Sequence, residues 1–114
     1  MIEELKAWGC NTADALERMV GDEEFYRECL LDIPSEPCFE QLGQALRDGD
    51  TLAAFDAAHT LKGVLSNLGL TPMYDTVVSI VEPLRAGRGD GLMEPYQQLL
   101  RQRAKLEEIL RGEP

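Results

Sequence analysis

Apolar residues in this chain recur at three- and four-residue spacing, and clusters of Gly, Pro, Asp and Asn interrupt them, a pattern that predicts helices from end to end. Met1 to Cys10 reads as an additional turn or short helix whose Trp8 packs down. Thr12 is placed to cap a short helix ending near Gly21, and Asp22 to cap a second that carries Phe25, Cys29, Leu30 and Ile33. Pro34 and Pro37 interrupt it. A helix from about Pro37 to Arg47 follows, with Phe39, Leu42, Ala45 and Leu46 as its apolar stripe, stopped by Asp48-Gly49-Asp50. The next runs from Thr51 to about Leu68 and ends at Gly69, a residue suited to the left-handed position after a helix.

Thr71-Pro72 reads as a cap followed by proline at the first helical position. The helix it opens extends to Ala86 through Met73, Val77, Ile80, Val81 and Leu84. Gly87 to Gly91 is a loop by composition. The last helix, about Leu92 to Arg111, shows Leu92, Tyr96, Leu99, Leu100, Leu106 and Leu110, with Pro95 in its first turn. Sustained alternation and hairpin signals are absent from the sequence. Short connections favour antiparallel neighbours. The expected fold is all-α: an antiparallel up-and-down four-helix bundle with one or two additional short N-terminal helices, residues 1–114 forming a single domain.

The helix from Thr51 holds the chain's one histidine. At about 100° per residue, with His59 set to zero, Ala54, Ala57, Leu61, Val64, Leu65 and Leu68 cluster roughly 140° to 240° away. The imidazole is therefore expected to face out. Lys62 and Gly63, three and four residues on, share its face, so a cation and a position without a side chain lie beside an exposed ring. Phe55 and Leu52 fall on the same face four and seven residues earlier. They form a docking surface beside the histidine if they are open, or are covered by the first or second helix. Ser66 continues the face toward the helix end, and Asn67 is expected to help finish the helix. Glycine inside a helix costs about 1 kcal/mol relative to alanine, and Gly63 carries that cost at an exposed position.

His59-Thr60-Leu61-Lys62-Gly63, followed by Asn67-Leu68-Gly69, resembles the core motif of histidine-containing phosphotransfer (HPt) domains. The likeness runs from roughly Asp14 to the final helix. Leu16 to Arg27 is similar to the lead-in helices of that family, Asp48-Gly49-Asp50 to the turn before the histidine helix, and Val81-Glu82-Pro83-Leu84-Arg85 to the Leu-Glu pair and trailing Arg of the helix after it. Pro83 departs from the pattern, since a proline inside a helix removes a hydrogen bond; the regularity of the helix there decides where Arg85 lies. The resemblance implies a helical bundle that relays phosphoryl groups in multistep two-component signalling. His59 would be the phosphoacceptor, and Lys62, Gly63, Arg85, Phe55, Leu52 and Ser66 would contact the phosphoryl group or the partner. The expected partners are receiver domains of response regulators or hybrid sensor kinases. The protein itself would carry no cofactor and no kinase activity, with magnesium held by the receiver.

Composition narrows this reading. The net charge of −10 resides in residues 1–57, while residues 58–114 are neutral. Such a chain repels phosphate backbones, which excludes nucleic-acid binding, and the acidic half reads as a solvated surface. The longest uncharged run, Gly63 to Tyr74, holds 12 residues, too few to cross a bilayer. The N-terminus lacks a signal-peptide layout, so a cytoplasmic monomer is expected. The sequence leaves open a complete free-standing protein and an excised domain, with Met1 and the Gly112-Glu113-Pro114 end leaning toward the first. Cys10, Cys29 and Cys38 are odd in number, and with one distant histidine they make neither a disulfide framework nor a zinc site.

Three alternatives compete. A non-catalytic helical adaptor would bind a receiver or another signalling protein without being phosphorylated. The dimerisation module of a histidine kinase usually places an acidic residue after the histidine and a proline a turn later, where this chain has Thr60 and Val64. A hydrolase using His59 as general base would need an orienting acid and a nucleophile or metal around it, and Asp56 alone is near in sequence. Glycine-rich phosphate loops for ATP are absent from the sequence.

Overall fold

Seven α-helices make up the regular structure of residues 1–112, the residues described by the computed structural model; Glu113 and Pro114 of the C-terminal end lie outside them. They are α1 (Ile2–Trp8), α2 (Thr12–Arg18), α3 (Glu23–Asp32), α4 (Pro37–Asp48), α5 (Thr51–Asn67), α6 (Thr71–Arg85) and α7 (Met93–Arg111), with a single 3-10 turn, Ile33–Ser35, between α3 and α4. The described residues are all-helical. Three helices precede α4, one beyond the one or two expected, because the segment of residues 1–10, read as a turn or short helix, forms α1 and is parted from α2 by Gly9 at φ 103, while Gly21 at φ 75 ends the α2 segment as read.

Local chemistry fixes the ends. Asp22 and Asp50 accept from the backbone N–H groups of Phe25 and Ala53 at 3.0 Å, as expected of aspartates preceding a helix. After α4, Gly49 at φ 71 turns the chain while Gly49 N–H donates to Leu46 and Asp50 N–H to Ala45 (2.9 Å). Asp50 thus closes one helix with its backbone and opens the next with its side chain. Two expected caps are corrected. Asn11, not Thr12, caps α2 by accepting from Asp14 N–H at 3.1 Å, and the Thr12 hydroxyl is buried without a partner among the described residues. Leu70, not Thr71, precedes α6; burial of Leu70 sets the turn, and Pro72 falls at the second helical position. Of the apolar residues read on the second helix, Leu30 and Ile33 are buried while Phe25 is half exposed, its neighbour Tyr26 taking the inward position.

Helix α4 packs on α5, α5 on α6, and α6 on α7, and α7 also reaches α4, α3 and the 3-10 turn. One hydrophobic cluster joins them, with Tyr26, Phe39, Leu42, Leu61, Leu65, Met73, Ile80, Leu99 and Leu106 fully buried. Trp8 packs down as expected, with the Lys105 ammonium 5.8 Å from its ring centroid. Between α4 and α7, the Tyr96 hydroxyl donates to the Phe39 carbonyl at 2.8 Å, and its phenol fills the space beside buried Gly43, where a Cβ would overlap the ring.

Gly43→Ala is therefore expected to destabilise the fold by about 1–3 kcal/mol, the usual cost of overpacking, measured by urea denaturation; an unchanged midpoint would show that α4 and α7 have slack. Burial pushes the Cys10 thiol up to about 11 and the Tyr26 phenol up to about 12. Acids raised in the folded state contribute stability below their unfolded values and lose it as pH climbs through the folded ones. Stability is accordingly expected to hold steady near neutrality and to fall from about pH 9 upward, with a shallower fall in Cys10→Ala.

Candidate functional site

The site is built on α5, whose inward face starts with small side chains. Ala54, Ala57, Ala58, Leu61 and Leu65 are buried, and the three alanines let neighbouring helices approach closely along the half of α5 that precedes the histidine. Ala58 joins the wheel's apolar set on its edge. This packing fixes the helix rotation and leaves His59 exposed on the opposite side. Among the described residues the imidazole has no hydrogen-bond or ionic partner.

Phe55 stacks on it. The ring centroids are 5.5 Å apart with an interplanar angle of 27°. The Arg85 guanidinium lies 5.3 Å from the centroid of the same Phe55 ring, an attractive arrangement for a cation over an aromatic face. Pro83 does not break α6: the helix runs on to Arg85, where Gly87 N–H donates to Leu84 and Arg88 N–H to Pro83, both at 2.9 Å, closing it in the two-bond pattern of a left-handed glycine stop. The family-like position of Arg85 is thus brought beside the histidine helix. Arg85 also meets Glu82 at 3.6 Å, with both side chains about half exposed, a contact that contributes little to stability.

The remaining residues fall where the wheel puts them. Lys62 is half-buried, with no ion-pair or hydrogen-bond partner among the described residues. Ser66 is exposed at the far end of the same face. Leu52 is 80% exposed and Phe55 is half-buried, so neither is sealed by an N-terminal helix. Gly63 has open space where a Cβ would stand, so no packing contact inside the chain requires a glycine there. Asp56 is exposed and makes no hydrogen bond to His59, and no cluster of three or more metal-type ligands occurs among the described residues. A groove of about 290 Å³ between the α4–α5 turn and the loop after α6, lined by Asp50, Thr51, Leu84, Arg88 and Asp90, does not include His59. The imidazole stands on an open surface, suited to a second macromolecule and unsuited to enclosing a small substrate.

Sequence reasoning missed what holds the far end of α5. The Arg18 guanidinium donates to the Ser66 carbonyl at 2.8 Å and the Asn67 carbonyl at 3.2 Å, the Tyr26 hydroxyl donates to the Leu68 carbonyl at 2.7 Å, and the Asn11 N–H donates to the Gly69 carbonyl at 2.8 Å. Gly69 sits at φ 67 with the Asn11 backbone pressed against it. Asn67 finishes the helix through its carbonyl, not its side chain. The one local signal, the Asp14–Arg18 pair at 2.6 Å, orients Arg18 without revealing its target.

Since Gly63 touches nothing, Gly63→Ala is expected to raise stability by up to about 1 kcal/mol through helix propensity, read as a higher thermal midpoint. A drop would mean that the glycine is required by the fold.

A family model described as Hpt domain matches residues 34–111, well over half of the chain. No curated protein and no solved structure gives a match. The matched span contains α4 to α7 and with them the whole face around His59, and the chain belongs to the Hpt domain family, whose members are phosphotransfer carriers of phosphorelays rather than kinases.

Proposed function

We propose that the protein is a histidine phosphotransfer protein of a multistep two-component phosphorelay, taking a phosphoryl group on His59 from a receiver-domain aspartate and passing it to another receiver. The observation that carries this reading is the solvent-facing imidazole of α5, free of hydrogen-bond and ionic partners among the described residues, opposite a fully apolar face and flanked by Lys62 and Gly63. The architecture behind it is read as an antiparallel up-and-down four-helix bundle of α4 to α7 with the N-terminal helices added, in one unit of residues 1–114. In this reading the protein acts as a cytoplasmic monomer; no helix among the described residues is long and apolar enough to cross a membrane.

In the transfer, the lone pair of the unprotonated His59 ring nitrogen attacks the phosphorus of the acyl phosphate. The phosphorus–oxygen bond to the receiver breaks, the aspartate leaves as a carboxylate, and a phosphorus–nitrogen bond forms. The proton on the other ring nitrogen stays in place, so the step needs no general base on this chain. Magnesium chemistry belongs to the receiver. Lys62 and Arg85 offer cations to the phosphoryl oxygens as negative charge arrives at the ring. Gly63 admits the receiver's loops, Leu52 gives them an apolar surface, and Ser66 borders the contact.

Incubation with receivers carrying labelled phosphoryl groups tests the proposal. Label is expected on the wild-type chain in an acid-labile linkage, as a phosphorus–nitrogen bond requires, and absent from His59→Gln, whose far-ultraviolet circular dichroism stays unchanged. Label persisting on His59→Gln would move the acceptor elsewhere. A wild-type chain that binds receivers yet remains unlabelled by all of them would be the non-catalytic adaptor.

A further inference from the structure

The Phe55 ring, which meets both the histidine and the arginine, has a role that exposure of the histidine does not supply. A solvent-facing imidazole on a helix rotates about two side-chain torsions, and a long arginine about four. In-line attack on phosphorus tolerates little of that freedom, because an ångström of misplacement can cost on the order of a hundredfold in rate. Phe55 answers both problems with one surface. Its ring stacks on His59 at 5.5 Å and lies 5.3 Å from the Arg85 guanidinium carbon. Its own position is set because it is half-buried against the core, one helical turn before His59. Leu52, its neighbour on the same face, is 80% exposed, so the two apolar residues differ: one is open to a partner, the other is engaged within the chain.

We propose that Phe55 is a positioning residue, a stacking platform that holds the His59 ring and the Arg85 guanidinium in fixed register so that a phosphoryl group arriving on the ring meets the cation. This rests on the phosphotransfer reading and adds to it a division of labour on the exposed face of α5. Before transfer, Arg85 is shared between the Phe55 face and Glu82, whose carboxylate is 3.6 Å away. The exposed pair is weak. A doubly charged phosphoryl group competes with it successfully through charge-assisted hydrogen bonds, while the stack keeps the guanidinium from wandering. Phe55 acts by holding His59 and Arg85 and itself forms and breaks no bond.

The experiment compares wild type, Phe55→Leu and Phe55→Tyr. Leucine keeps an apolar side chain on the core and removes the ring; tyrosine keeps the ring. Proton magnetic resonance of the unphosphorylated chains reads the stack directly and needs no phosphoryl donor: the His59 ring protons are expected to be displaced by the neighbouring aromatic in wild type and Phe55→Tyr, and to return to ordinary positions in Phe55→Leu. At saturating phosphorylated receiver, transfer to Phe55→Leu is expected to be about tenfold slower, with Phe55→Tyr near wild type and all three binding unphosphorylated receiver equally. Two results would overturn the inference: His59 resonances that are the same with and without the Phe55 ring, or a Phe55→Leu chain that loses receiver affinity but keeps the saturating rate, which is the behaviour of a docking residue. Should wild type accept no phosphoryl group at all, the phosphotransfer reading fails, and the resonance comparison still decides whether Phe55 holds the imidazole.

Discussion

The rotational setting of α5 about its own axis is the constraint on which the rest of the molecule depends. A turn of roughly half a circle would bury His59 among leucines. What prevents it is the wedge of Ala54, Ala57, Ala58, Leu61 and Leu65, which has its neighbours on α4 and α6 and nowhere else to go. The alanines matter as much as the leucines, since larger side chains at those positions would push the neighbouring helices away from the first half of α5. Its two ends are held by unrelated means. Asp50 caps the beginning through its carboxylate, and three residues from the N-terminal helices satisfy carbonyls that the end of the helix leaves open. A helix gripped in this way presents its outer face without needing that face to contribute to stability.

That separation explains the composition of the outer face. Residues freed from packing there are a solvent-facing imidazole, an ammonium with no ion-pair partner among the described residues, and a glycine with open space where a Cβ would stand. Electrostatics follows the same division. The acidic surplus lies in residues 1–57, while Lys62 and Arg85 come from the balanced second half. Lys62 and Arg85 thus offer positive charge near the histidine on a molecule whose net charge is −10.

Much of this was legible from spacing alone. The outward direction of His59, the company of Lys62 and Gly63, the stop at Asp48-Gly49-Asp50, the left-handed Gly69 and the capping Asp22 all follow from periodicity and backbone chemistry, which are local. What escaped was nonlocal. Arg18 reaches carbonyls 48 and 49 residues away, and no pattern within α2 announces that. The choice of Asn11 over Thr12, and of Leu70 over Thr71, turned on which residue the tertiary packing drew inward. Phe55 was visible as a neighbour of the histidine, but its engagement with Arg85 depended on α6 surviving Pro83, which the glycine-led closure at Gly87 and Arg88 settles.

The grip on the end of α5 has a bearing on how such proteins are delimited. Asn11, Arg18 and Tyr26 all lie upstream of residue 34, where the recurrent family pattern begins. The stretch shared by kin and the stretch that anchors α5 are not coextensive in this molecule. Boundaries drawn by likeness alone would keep the face around His59 and discard part of its mounting, the contacts that hold the far end of α5.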